Sequence, residues 1–191
     1  MLIPFDRFEF HTEFKRSYIN QLTGMQNDEY FFTLTRVFSD AFVLGDFEHV
    51  RYQLISVRDY KNIESLLKFE MNNAQGHYAA NLSSIHTNLY QKLLQDYQCE
   101  FVLVFSWYRI FEVTDNVKLS KARRYGQYSE HMVDFDFFDD QQNLITFGAN
   151  QRFRVVPAEE NMKYRGLRIS DLREAYRDLA GDISRQILPI R

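Results

Sequence analysis

The stretch FVLVFSWYRIF, Phe101 to Phe111, limits the folds open to this chain more than any other. Its first half is a near-continuous run of β-branched and aromatic residues, far shorter than the ~18 apolar residues of a membrane span. A run of this kind reads as a central strand buried on both faces. The sheet that holds it needs a covering layer on each side, and the rest of the chain has to supply those layers.

The covering elements are read from apolar spacing. From Asp59 to about Ala74, residues Ile63, Leu66, Leu67 and Met71 recur every three or four positions, and Leu82, Ile85, Leu89, Leu93 and Tyr97 do so after Gly76. That period predicts two helices, or one helix kinked at Gly76. The last segment, SDLREAYRDLAGDISRQI, carries the stripe Leu172, Ala175, Leu179, Ile183 and Ile187, with Ser170 placed to cap it. Nearer the N-terminus, DRFEFHTEF alternates with period two and predicts a strand, and KRSYINQL suits a short helix. YFFTLTRVF (Tyr30 to Phe38) and, after a turn at Gly45-Asp46, FEHVRYQLISV read as two further strands on their β-branched and aromatic content.

The expected architecture is a single α+β domain over residues 1–191, with a mainly antiparallel sheet, central helices and a C-terminal amphipathic helix. Within it, residues 1–57 read as a β-meander, 58–98 as helical, and 99–191 as strands plus the terminal helix. The 18 Phe and 12 Tyr argue for a thick core or for an aromatic contact surface. The lone Cys99 rules out an internal disulfide framework. MLIPFDRFEF lacks the basic and apolar regions of a secretion signal, which gives the expectation of a cytoplasmic chain without a membrane span.

Two stretches hold candidate chemistry. In HMVDFDFFDDQQNLITFGAN (131–150), Asp134 and Asp136 fall on one side of a strand with Phe135 and Phe137 on the other, and Asp139 and Asp140 sit where a hairpin turn favours aspartate. The structural expectation is a half-buried hairpin whose acids face solvent. The catalytic alternative is a metal-dependent phosphodiesterase in which His131, Asp134 and Asp136 hold Mg²⁺ or Mn²⁺, with Arg152 or Lys121 as the cation opposite the phosphate. His77 and His86, in or near the second helix, would lie about 13 Å apart and share no ion.

The second stretch is KLSKARRYGQY. After a turn at Thr114-Asp115-Asn116 it reads as a loop that sets Lys118, Lys121, Arg123 and Arg124 beside Tyr125 and Tyr128. Cations beside tyrosines can neutralise phosphates while the rings stack on bases or on a flexible peptide. No phosphate loop, nucleophile elbow or zinc-protease motif occurs. The reading that follows is a non-catalytic binding protein without a cofactor. Its expected partner is a protein, with nucleic acid as the alternative through residues 118–128; protein comes first because a net charge of −3 weakens attraction to a polyanion. Homo-oligomerisation is compatible with that reading.

Overall fold

The computed structural model describes residues 1–5, 10–74, 76–119, 122–155 and 166–187. In chain order the elements are strand β1 (Leu2–Ile3), strand β2 (Phe10–Thr12), helices α1 (Arg16–Thr23), α2 (Asn27–Val43) and α3 (Val57–Ile63), strands β3 (Lys68–Asn72) and β4 (His77–Asn81), helix α4 (Thr87–Asp96), strands β5 (Val102–Leu119), β6 (Ala122–Phe138) and β7 (Leu144–Val155), and helix α5 (Ile169–Ile187). The class is α+β, with a mixed sheet and a separate antiparallel hairpin. Strands β5, β6 and β7 are antiparallel neighbours in that order, while β1 and β2 both run parallel to β5 along its other side. Strands β3 and β4 pair only with each other among the described residues. Within those residues no helix is long and apolar enough to cross a membrane.

The apolar run of β5 is covered on both faces, as its composition requires. On one face, Leu103, Phe105, Tyr108, Val133, Phe135 and Phe137 join Phe38 and Phe42 of α2 and Tyr176, Leu179 and Ile183 of α5 in one cluster. Across the sheet, Val102, Val104 and Phe138 meet Ile55, Ile63, Leu82 and Leu94 in a second cluster. Phe105 and Phe135 are fully buried, and burying a phenylalanine side chain stabilises by roughly 1.5–3 kcal/mol.

A bulge keeps β5 in phase with those layers. Phe105 pairs with Phe135, but the next β6 residue, Asp134, pairs with Trp107, so Ser106 is the extra residue. The insertion moves Tyr108 and Ile110 onto the α2/α5 face with Phe105 and turns Trp107 and Arg109 toward the opposite face with Asp134.

Several expected elements take another form. Tyr30–Phe38 lies inside α2, because Tyr30, Leu34, Val37, Phe38 and Ala41 form a helical buried stripe and Asp28 and Glu29 fall in the first turn. FEHVRYQLISV holds only isolated bridges, Phe47 with Val50 and Leu54 with Leu2. The helix expected over 59–74 ends at Ile63 and gives way to β3, and the residues after Gly76 form β4 before α4 begins. Gly76, at φ +62°, belongs to the β3–β4 turn, where a left-handed residue is needed. Thr114–Asn116 is not a turn, since β5 continues to Leu119. Helix α5 starts at Ile169, which puts Ser170 in its first turn rather than at the cap.

Candidate functional site

Asp134 and Asp136 are both fully buried. Two residues apart on β6, they share a face and stand about 6.8 Å from one another along the strand. The same period governs β4, which lies over them. Asp134 Oδ2 accepts the N–H of Tyr78 at 2.9 Å, and Asp136 Oδ2 accepts the N–H of Ala80 at 2.6 Å. One side of β4 pairs with β3, so the two carboxyl groups act as the strand partner for its other side. The expectation that these acids face solvent is corrected here: the segment read as helix is a hairpin, and it covers them.

The second oxygen of each acid meets a base. Arg109 Nη2 lies 3.4 Å from Asp134 Oδ1, with its guanidinium 3.9 Å from the centre of the Trp107 ring. Burial holds the Arg109 guanidinium below its usual pKa, against the pull of Asp134 and with a further push from Arg152. His77 Nε2 approaches Asp136 Oδ1 at 3.2 Å, out of line for a hydrogen bond, while its ring stacks on Phe147 at 4.7 Å. His77 and Arg109 are the residues at this centre that sequence reasoning missed. Period two on β5, corrected for a bulge that has no sequence mark, would have been needed to align Arg109 with the acids.

His131 is not with them. It projects to the α2/α5 face, fully buried, with Nδ1 2.6 Å from the Tyr108 hydroxyl and Nε2 2.8 Å from Ser129 Oγ. Ser129 Oγ donates to the Gly166 carbonyl, which fixes the remaining protons. The hydroxyl accepts from His131 Nε2–H, the bare Nδ1 accepts from Tyr108, and Tyr108 accepts from Tyr176 at 2.6 Å. Every group in the chain is satisfied by a neutral imidazole. Burial pushes the His131 pKa down to about 3, in agreement with that proton count.

The sheet therefore separates His131 from Asp134 and Asp136, and the three cannot share an ion. Among the described residues, no group of three or more His, Cys, Asp or Glu side chains is placed to hold a metal. Asp139 does what a turn aspartate does, its Oδ1 accepting the N–H groups of Gln141 and Asn143 at 2.8 Å each. Gly148 is explained by packing: a Cβ there would run into Cε1 of Phe135, whose ring lies against the glycine.

The basic and aromatic stretch lies on a ribbon. Backbone pairing sets Lys118 opposite Arg123, Val117 opposite Arg124, Asn116 opposite Tyr125 and Val113 opposite Tyr128. The side chains of Lys118, Arg123, Arg124, Tyr125 and Tyr128, and all of Lys121, lie outside the described residues. β7 accompanies β6 only up to Ser129, and β2 accompanies β5 only around Tyr108–Ile110. Past those points β5 and β6 have only each other among the described residues.

No family model matches the chain, and no curated protein matches it. Among solved structures, it is similar to a Helicobacter pylori protein named as a homologue of a neuraminyllactose-binding hemagglutinin. The identity is 11%, the TM-score 0.41, and the match covers 98% of this chain and 81% of the other. At that TM-score no property of the H. pylori protein transfers to this one.

Proposed function

We propose that the protein acts by binding a protein partner through the β5–β6 ribbon, and that it does no chemistry. The observation that carries the reading is the ribbon itself: residues 113–119 and 122–128 pair with one another while, among the described residues, both outer edges lack a strand partner. Unpaired edges offer main-chain donors and acceptors to an extended segment. The backbone register pairs Lys118 with Arg123 and Asn116 with Tyr125, so this part of the ribbon is rich in basic and aromatic positions, a composition that favours an acidic segment. The polar groups that resembled a catalytic centre support the reading by elimination, since Asp134 and Asp136 hold β4 to the sheet and His131 is joined to Tyr108, which bonds Tyr176 of α5. A free thiol at Cys99 accords with the cytoplasm.

The test is affinity capture from the native host with the parent chain and with Arg123→Ala/Arg124→Ala, followed by mass spectrometry and a nuclease-treated control. The expected result is a protein retained by the parent and lost by the variant. Equal recovery on both baits rejects the reading, and recovery that disappears with nuclease makes the partner a nucleic acid.

A further inference from the structure

The opposite side of the sheet carries a second surface with its own chemistry. Strand β7 ends the strand order, and its outer edge is unpaired among the described residues. Along that edge runs a groove of about 400 Å³ between Gln151–Arg154 of β7 and Ala175–Gln186 of α5. Its apolar wall includes Phe153 and Leu179, and Asp178 and Asp182 line the helix side.

Charge on β7 alternates with the pleat. Arg152 and Arg154 are exposed and share the face on which Arg152 is paired with Met132 and Arg154 with Glu130, whereas Phe153 between them pairs with His131 and points toward α5. Arg152 Nη1 lies 3.9 Å from Glu130 Oε1, a long surface contact that leaves the Arg152 side chain 62% exposed. A second copy adding antiparallel about Phe153 would set arginine against arginine twice on this face, and like charges directly opposite destabilise a strand pair. The edge thus rejects its own kind. An incoming strand with acids at alternate positions would instead place them directly beside Arg152 and Arg154, and the residue between those acids would turn into the groove against Phe153 and Leu179.

We propose that the β7 edge and the α5 groove form a strand-addition site for an extended peptide of acid–apolar–acid alternation. This surface is distinct from the ribbon, so the two sites stand or fall separately.

The test uses the full chain and a fluorescein-labelled peptide of alternating glutamate and valine, read by anisotropy. Controls are the same composition with the glutamates grouped together, a lysine–valine peptide, and the alternating peptide N-methylated on the backbone positions that would pair. The alternating acidic peptide is expected to bind and to protect the amides of residues 151–155 from hydrogen exchange. Arg152→Ala/Arg154→Ala should weaken it about tenfold, the range two lost cross-strand charge pairs would give. Arg152→Glu/Arg154→Glu should reverse the preference toward the lysine peptide. Arg58→Ala/Lys61→Ala, which removes the same charge from two exposed positions of α3, should leave the affinity unchanged, and an equal loss there would mean that only net charge is read and would overturn the proposal. Absence of binding, or equal binding of the grouped or N-methylated peptide to the parent, would also overturn it without any variant having to fold.

Discussion

Replacing Asp136 with alanine gives the sharpest test of how the hairpin β3–β4 is held. The change removes the acceptor of the Ala80 N–H, a bond of 2.6 Å to a fully buried carboxyl group, and takes away the carboxyl oxygen 3.2 Å from His77 Nε2. A hydrogen bond to a charged group contributes about 1.5–3 kcal/mol, and a stranded polar group adds about 1–3 kcal/mol where water cannot reach it. Because the Ala80 amide is only partly buried, the expected loss is about 2–4 kcal/mol. Asp136→Asn keeps an acceptor oxygen at the same place and is expected to cost about half as much. Urea titration reads both values, with melting temperatures lower by about 2–4 °C per kcal/mol at this chain length. Hydrogen exchange at Ala80 should accelerate in Asp136→Ala and less so in Asp136→Asn. Should Asp136→Ala unfold within about 0.5 kcal/mol of the parent with Ala80 still protected, the carboxyl would not be holding β4. A melting temperature raised by Mg²⁺ in the parent and not in the variant would return the residue to a metal site.

Three other expectations are independent of that one. Gly148→Ala drives a methyl group into Phe135 and should cost about 1–3 kcal/mol by chemical denaturation, with partial rescue by Phe135→Leu in the same chain. The imidazole signals of His131 should not titrate between pH 8 and 5 by NMR, since burial pushes its pKa from the usual 6.5 down to about 3. The unfolded chain binds that proton first as pH falls, so the group removes stability at about 1.4 kcal/mol per pH unit between those two values, and His131→Gln should flatten that part of the stability profile. Tyr176→Phe removes the donor to Tyr108 at the end of the same buried chain and should cost about 1–2 kcal/mol, measured in urea.

What the sequence discloses follows the range of the force involved. The terminal helix, the doubly covered strand and the turn at Asp139 are legible because each is decided by residues a few positions apart. Tyr30–Phe38 misleads because its aromatic and β-branched content outweighs, on inspection, a stripe of period 3.6 that only a full length of 17 residues makes plain. Residues 68–81 mislead for another reason: helical spacing at Leu66, Leu67 and Met71 is accidental once the chain can fold back at Gly76. The role of Asp134 and Asp136 is hidden most deeply. Their partners lie 56 positions away, and a polar residue on a strand looks the same whether water or another backbone receives it.

The way β4 is seated also fixes its alignment. Along one edge of a strand, N–H and C=O groups alternate, and the carboxyl oxygens that face β4 both accept. Sliding β4 by half of its period would bring carbonyl oxygens against the oxygens of Asp134 and Asp136, and sliding it by a full period would carry one acid past the end of the strand, to Gly76 or Leu82. A neighbouring strand tolerates such slips because it can answer either group. Two acids cannot, so the hairpin has a single setting on the sheet, determined by side chains that take no part in the apolar core.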